Sequence, residues 1–217
     1  MRISYVGGLE EEGANFWLSR VGWEPSEAAR MIAKENDPDK TGYVADIGGG
    51  HGRDALWLAK QRFQSILIEP NKYSLGLARE RAKNERLYVC LINSMLPCLP
   101  LCSKTIDVAD LYWTLHQIPD KRKLECLKEI HRVLKDKGTL CSASFGHWES
   151  QEMPRSIYPI VEKRSFLNLH VSAGFKPCSR IEKRSDSVRT FEKFWYATFQ
   201  KVQLDSKKQN LISKEEE

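Results

Sequence analysis

Five short apolar runs alternate with amphipathic stretches along the middle of the chain. The runs have the length and composition of buried strands and cover residues 43–47, 65–69, 87–92, 106–112 and 139–145. The stretches at residues 52–61, 72–84 and 121–135 place apolar side chains on one face of a helix. Strands that alternate with helices of this length predict an α/β fold, in which helices cover both faces of a parallel sheet.

The last third of the chain lacks this alternation. Residues 165–173 have a helical pattern that ends at Gly174, and two strand-like stretches follow at residues 176–184 and 190–201. No helical segment separates these two stretches, so they are expected to pair antiparallel. An antiparallel edge hairpin on an otherwise parallel sheet is therefore predicted.

Composition places the chain among ordinary globular proteins. Of its 217 residues, 41% are hydrophobic and 29% are charged, which is enough to build one sizeable core. No stretch approaches the ~20 apolar residues that span a bilayer, and residues 1–8 lack the apolar core of a signal peptide. We therefore expect a cytoplasmic protein with no membrane contact, whose oligomeric state the sequence leaves open.

The chain divides into three predicted parts. These are an N-terminal helical cap at residues 1–39, one α/β domain at residues 40–201 and a flexible polar tail at residues 202–217. The formal net charge is +5, and the basic excess lies in the second half of the chain. Such an excess permits an anionic partner without requiring one. The six cysteines contain no C-x-x-C pair, so we expect reduced thiols and no metal site.

A glycine-rich turn between the first strand and its helix is the most informative segment. Asp46 precedes the glycines Gly48, Gly49 and Gly50, and Glu69 ends the next strand. In a parallel sheet the ligand site lies at the carboxyl ends of the strands, and glycines let the backbone approach the ligand closely. A carboxylate at Glu69 can accept both hydroxyl groups of a ribose.

Two ligand classes fit this turn. A dinucleotide such as NAD needs the spacing G-x-G-x-x-G/A, which Gly50, Gly52 and Ala55 satisfy. S-adenosylmethionine (SAM) has no phosphate, and it brings an ammonium group that would compensate a buried carboxylate at Asp46. The position of Asp46 inside a strand favours SAM.

Six segments, in this order along the chain, resemble the class I SAM-dependent methyltransferases of the small-domain type. They are VADIGGGHGR at 44–53, IEPN at 68–71, LPL with IDV at 99–108, LHQI at 115–118, IHRVLKDKG at 130–138 and AGF at 173–175. The resemblance covers roughly residues 40–200. It implies a SAM-dependent methyltransferase domain at 40–201, with a Rossmann-like, doubly wound, mostly parallel seven-stranded sheet that has an antiparallel edge strand.

The resemblance also implies a binding site for SAM. Gly48, Gly50 and Gly52 would line its methionine and ribose parts, Asp46 would support the amino acid end, and Glu69 would hold the ribose hydroxyls. The full expected set of cofactor-binding residues is Asp46, Gly48, Gly49, Gly50, Gly52, Glu69, Pro70, Asn93, Ser94, Met95 and Leu111.

Asn93 and Met95, which follow the third strand, are predicted to lie near the adenine ring. Asn93 stands where the family often has Asp, and its side-chain oxygen can still accept a hydrogen bond from the adenine amino group. Met95 suits the flat face of adenine, although a plain turn with Met95 in the core is the alternative. His51, in the turn itself, is expected to be exposed.

The segment after the fourth strand is expected to face the methyl acceptor. Tyr112 and Trp113 could contact the sulfonium by cation–π interaction or could be core aromatics under a lid. His116 is the candidate general base, so His116 and Tyr112 are the expected catalytic residues. Residues 10–30 and 146–164 lie outside the predicted sheet and are expected to decide which acceptor is bound.

Methyl transfer to a small molecule is the leading functional hypothesis. Methylation of RNA or protein by the same fold is the first alternative. A methyltransferase-like partner subunit without catalysis is the second, and a nicotinamide-dependent enzyme is the third. The intact glycine turn and Glu69 count against the silent subunit, and only the spacing Gly50-x-Gly52-x-x-Ala55 supports the nicotinamide enzyme.

Overall fold

The computed structural model describes residues 10–145, 162–179, 182–185 and 193–202. The helices in these ranges are α1 (Glu11–Val21), α2 (Glu27–Glu35), α3 (Arg53–Lys60), α4 (Lys72–Asn84), α5 (Asp120–Val133) and α6 (Lys163–Ser172). The strands are β1 (Tyr43–Ile47), β2 (Gln64–Ile68), β3 (Val89–Ile92), β4 (Ile106–Tyr112), β5 (Leu134–Phe145), β6 (Phe175–Pro177), β7 (Glu182–Ser185) and β8 (Lys193–Lys201). A 3₁₀ turn at Leu115–Gln117 follows β4.

The strands form one mixed sheet with the order β3-β2-β1-β4-β5-β8-β6. Strands β1 to β5 pair parallel, and β8 pairs antiparallel with β5. Both β6 and β7 pair with β8, at its two ends, so they share the seventh position of the sheet. The predicted α/β fold, with an antiparallel strand near one edge, is confirmed.

Helices cover both faces of this sheet. Helices α5 and α6 bury Leu127, Ile130 and Phe166 against one face. Helices α2, α3 and α4 pack on the other face, where Asp46 lies beside this apolar layer because side chains alternate along a strand. This second face carries the polar residues that reach the candidate site.

The N-terminal helices lie next to the glycine turn. Helix α2 begins at Ser26, whose hydroxyl accepts a hydrogen bond from the Ala29 N–H at 3.1 Å and so caps the helix. Ala28, Ala29 and Ile32 are buried in the same core as β1 and β4. Residues 1–9, 146–161 and the tail after 202 lie outside the described residues, so the predictions for them are untested. No helix in the part described is long and apolar enough to cross a membrane.

Candidate functional site

A cavity opens at the carboxyl ends of β1, β2 and β4, the edge at which the sequence predicts a ligand. Its walls come from the glycine turn, from the end of β2, from the segment after β3 and from the segment after β4. The predicted residues at the wall are Asp46, Gly48, Gly49, Gly50, Glu69, Pro70, Ser94, Met95 and Tyr112. Four separate stretches of the chain therefore meet where parallel strands end, as this architecture requires.

The structure requires glycine at the positions of this turn for different reasons. Gly50 has φ +58°, and a Cβ built there would meet nothing within 4 Å, so the backbone at Gly50 faces open space. A Cβ on Gly49 would collide with the carboxylate of Asp46. Gly52 does not line the cavity. A Cβ there would lie 2.8 Å from Leu67 Cδ2, so Gly52 lets α3 pack closely on β2.

Glu69 joins the turn to the end of β2. Its Oε2 accepts the Gly50 N–H at 2.9 Å, and its Oε1 accepts the Asn71 N–H at 2.8 Å. Burial raises the pKa of Glu69, and the hydrogen bonds from Asn71 and Gly50 lower it in part. Each carboxylate oxygen has a second lone pair, so Glu69 can still accept hydroxyl groups from a ligand in the cavity.

Asp46 lies under the turn, near the start of α3. Its Oδ2 accepts the Ala55 N–H at 3.2 Å, which places the carboxylate at the positive end of the helix. Burial, followed by the neighbouring carboxylate of Asp54, raises the pKa of Asp46 well above its ordinary value. A ligand that brings a cationic group would relieve both effects.

Side chains of the glycine turn bind backbone groups of the N-terminal segment. Asp54 Oδ1 accepts the Ser26 N–H at 2.6 Å, and Arg53 Nη1 donates to the Glu24 carbonyl at 3.4 Å. His51 Nε2 lies 2.6 Å from the carbonyl oxygen of Gly22. These contacts hold the connection between α1 and α2 over the cavity, whose wall includes Val21.

The prediction that His51 is exposed is wrong. Its side chain is 2% exposed, and the edge of the Trp23 ring packs on it at 4.8 Å. Burial lowers the pKa of His51 to about 4, so the ring is neutral and donates its N–H to Gly22. The sequence pattern placed His51 in a loop and predicted an N-terminal cap at residues 1–39, but it did not indicate that the cap covers this loop.

An aromatic pair forms part of the cavity wall. Tyr112 and Trp113 stack with their ring centroids 5.3 Å apart, and the guanidinium carbon of Arg53 lies 5.7 and 5.9 Å from the two rings. Trp113 has φ +59°, a conformation that costs a bulky residue about 1–3 kcal/mol. Gln117 Nε2 donates to the Trp113 carbonyl at 2.9 Å and helps to hold this backbone.

Thr114 ties the end of β4 to the end of β1. Its hydroxyl donates to the Ile47 carbonyl at 3.0 Å. A Cβ on Gly48 would lie 2.5 Å from the same hydroxyl oxygen, so the glycine makes room for this side chain. Sequence reasoning missed Thr114, Gln117, Arg53 and Asp54 as wall residues.

The segment after β3 supplies the third wall. Ser94, Met95 and Leu96 line the cavity, and the Ser94 hydroxyl donates to the Cys98 carbonyl at 2.6 Å. Asn93 is exposed and is not part of this wall. Its Nδ2 donates to the carbonyl oxygens of Glu69 (3.0 Å) and Pro70 (2.9 Å). These bonds fix the end of β2 and do not involve the side-chain oxygen, so the contact of that oxygen with adenine stays a prediction.

Two further predicted residues do not reach the cavity. Leu111 is fully buried in the core on the opposite face of the sheet, beneath α5. His116 is 1% exposed and is not part of the cavity wall, and burial lowers its pKa to about 3. The predicted role of His116 as a general base therefore has no support in the structure, because a general base must reach the reacting group.

Comparisons with known proteins agree with this geometry. Residues 44–138 match the family described as "Methyltransferase domain". An uncharacterised methyltransferase from Alkaliphilus oremlandii is 28% identical over 130 residues, which are 60% of this chain and 57% of that relative. The matched part thus spans little more than half of the relative's length.

Solved structures share the fold at low sequence identity. The Burkholderia thailandensis 1,6-didemethyltoxoflavin-N1-methyltransferase, crystallised with S-adenosylhomocysteine, is 16% identical, with a TM-score of 0.70 over 88% of this chain and 83% of that one. The [4+2]-cyclase SpnF is 17% identical, with a TM-score of 0.66 over 88% of this chain and 81% of that one. Proteins with this fold therefore include a methyltransferase and a cyclase, so the fold alone does not identify the reaction, which has to be inferred from the residues of the site. Residues 44–138 thus match a methyltransferase domain family, and the sheet that contains them has the Rossmann-like fold of solved methyltransferases.

Proposed function

We propose that this protein transfers a methyl group from SAM to a small-molecule acceptor. The observation that carries the proposal is the turn at Gly50, whose N–H is held by Glu69 while Asp46 lies below it at the same cavity. This arrangement offers carboxylate oxygens to a ribose and to an ammonium group. It offers few free backbone N–H groups to a diphosphate, which counts against a dinucleotide.

The residues at the wall fit SAM part by part. Glu69 would accept the ribose hydroxyls, Asp46 would face the ammonium group, and Met95 with Leu96 would contact the adenine ring. Bound SAM supplies an electrophilic methyl carbon on a sulfonium, whose leaving group is neutral. The chain itself has to bind SAM and the acceptor, align them and exclude water. Alignment alone can lower the free-energy barrier by about 7–11 kcal/mol.

Enclosure of the cavity supports a small acceptor. The link between α1 and α2 lies over the glycine turn, and Val21 forms part of the wall. The stacked rings of Tyr112 and Trp113 form an apolar surface on the same side. A covered cavity of this kind suits a compact molecule better than a long polymer.

The titratable groups at the wall already have structural partners. His51 donates to Gly22, Glu69 accepts from Gly50, and Asp54 accepts from Ser26. His51 Nδ1 has no hydrogen-bond partner among the described residues, but burial lowers the pKa of His51 to about 4, which makes the ring a weak base. We therefore propose an acceptor that attacks without a protein base, such as a thiolate or a nitrogen lone pair.

Calorimetric titration of the purified protein tests the cofactor. We expect binding of S-adenosylhomocysteine and none of NAD, and undetectable binding of S-adenosylhomocysteine at millimolar concentration would overturn the proposal. Labelled SAM then tests the acceptor when it is offered to separate small-molecule, RNA and protein fractions of a cell extract. Label that enters only the small-molecule fraction supports the proposal. Label in the RNA or protein fraction would contradict a small-molecule acceptor and indicate RNA or protein as the acceptor. Cofactor binding with no transfer to any fraction would indicate a catalytically silent subunit.

A further inference from the structure

Asp110 is a buried carboxyl group that the proposed chemistry does not use. It lies in β4, in register with Asp46 on β1 and with Cys141 on β5, and its side chain is fully buried. Neither carboxyl oxygen accepts a hydrogen bond of normal geometry from the described residues, and the Tyr112 N–H reaches it only weakly. A buried polar group without partners requires an explanation, because leaving it unpaired costs about 1–3 kcal/mol or more.

The surroundings of Asp110 contain more acids than bases. Asp46 lies on one side, and Asp54 and Arg53 approach from α3. Arg53 is the one cation that faces this group from the described residues, and it already pairs with Asp54 at 3.8 Å. Three neighbouring carboxyl groups around one guanidinium cannot all be ionised in a buried site.

The other side of Asp110 is neutral. Burial raises the pKa of Cys141 to about 12 and the pKa of Tyr196 still further, so the thiol and the phenol keep their protons. Glu35 of α2 also acts on Cys141 and adds one more acid to this face of the sheet. Among the side chains that the structure describes, Arg53 remains the cation that acts on Asp110.

The three carboxyl groups differ in their partners. Asp54 accepts the Ser26 N–H and pairs with Arg53, and Asp46 accepts the Ala55 N–H and borders the cavity. Asp110 has only the weak contact with the Tyr112 N–H and is not part of the cavity wall. Burial, followed by the carboxylates of Asp54 and Asp46, raises the pKa of Asp110 well above its ordinary value.

We propose that Asp110 carries a proton at neutral pH and is a positioning residue for cofactor binding, because its O–H donates to the carboxylate of Asp46. Neighbouring strands lie about 4.8 Å apart, and in-register side chains on one face stand side by side, so the two groups are adjacent. The hydrogen bond holds Asp46 with one oxygen on the Ala55 N–H and its charge directed at the cavity. The inference rests on the proposed function only for the identity of the ligand, SAM.

Two matched substitutions separate positioning from packing. D110N keeps the size and a donor group but carries no charge, and D110L keeps similar bulk but removes the donor. We expect D110N to bind S-adenosylhomocysteine within about threefold of the wild type. We expect D110L to bind it about 10–150-fold more weakly, the worth of one hydrogen bond to a charged group, with unchanged or higher thermal stability.

A double-mutant cycle tests whether the effect acts through Asp46. In the D46N background, D110L should cause little further loss of affinity, because the group it orients is already gone. Equal affinity losses in D110N and D110L, or additive losses in the cycle, would overturn the positioning role.

Infrared spectroscopy tests the proton without any ligand. The wild-type protein should show a protonated carboxyl C=O band at neutral pH that is absent from D110N and retained in D46N and E69Q. A wild-type spectrum without that band would overturn the proposal even if all variants bind alike. Should D110N fail to fold, retention of the band in D46N, D54N and E69Q assigns it to Asp110 by elimination among these neighbouring carboxyl groups. If the wild type fails to bind S-adenosylhomocysteine but shows the band, the cofactor proposal fails and the protonation of Asp110 stands.

Discussion

Replacing Glu69 with glutamine tests the geometry of the candidate site most directly. The carboxylate accepts the Gly50 N–H with one oxygen and the Asn71 N–H with the other. Glutamine has a single carbonyl oxygen, so one of these N–H groups would face the NH₂ group of the new side chain. The turn therefore loses a hydrogen bond to a charged acceptor and gains an unfavourable contact between two donors.

The magnitude follows from these two bonds. A hydrogen bond to a charged group contributes about 1.5–3 kcal/mol, so the free energy of unfolding of E69Q should fall by about that amount. The lost carboxylate also removes acceptors for the ribose. Since about 1.4 kcal/mol is a factor of ten, affinity for S-adenosylhomocysteine should fall about 10–150-fold.

The measurement combines urea denaturation with calorimetric titration, and E80Q serves as the matched control. Glu80 lies on the exposed side of α4, so E80Q makes the same change of charge away from the cavity. We expect E80Q to resemble the wild type in both measurements. Affinity of E69Q within twofold of the wild type would refute the assignment of Glu69 to the ribose.

Three further predictions concern packing, acid stability and the N-terminal cover. G52A should lower the melting temperature, because its Cβ would meet Leu67 Cδ2 at 2.8 Å, whereas G76A in the open middle of α4 should raise stability by about 0.5–1 kcal/mol. The pKa of buried His170 is lowered to about 4, below its unfolded value, so its contribution is present above about pH 6.5 and is lost as pH falls towards 4. In urea denaturation, His170 should lower the free energy of unfolding of the wild type by about 2 kcal/mol between pH 8 and pH 5. H170F cannot titrate at this position and should not show that part of the decrease. An equal decrease in both proteins would contradict the prediction. H51A should speed proteolytic cleavage between α1 and α2 and weaken cofactor binding, because the hydrogen bond to Gly22 is removed, and unchanged cleavage would count against this role.

The glycine turn could be predicted because its signals are local. Asp46, the three consecutive glycines and Glu69 occur at fixed places relative to two strands, and the ends of parallel strands meet at one edge. The same pattern could not tell which glycine faces a ligand. Gly50 and Gly52 both have positive φ, but of these two only Gly50 borders the cavity. Gly52 lies where α3 packs on β2.

Two predicted site residues near β4 lie outside the cavity wall, and strand geometry explains the position of Leu111. Side chains alternate between the two faces, so Leu111 points away from the face that carries Asp110 and Tyr112. The assignment of Leu111 to the cofactor followed the resemblance and not this alternation. His116 follows in a 3₁₀ turn, whose path cannot be read from the spacing of apolar residues.

A helical cap at residues 1–39 was predicted, but the contacts that anchor this cover to the glycine turn could not be predicted from the sequence. The side chains of His51, Arg53 and Asp54 bind the cover. The cover takes part in these hydrogen bonds only through backbone groups, which are the carbonyls of Gly22 and Glu24 and the N–H of Ser26. Backbone groups are the same in every residue, so these contacts leave no pattern in residues 10–26. Substitutions in the cover should therefore be tolerated wherever its path is kept, while loss of His51 or Asp54 should open the cavity.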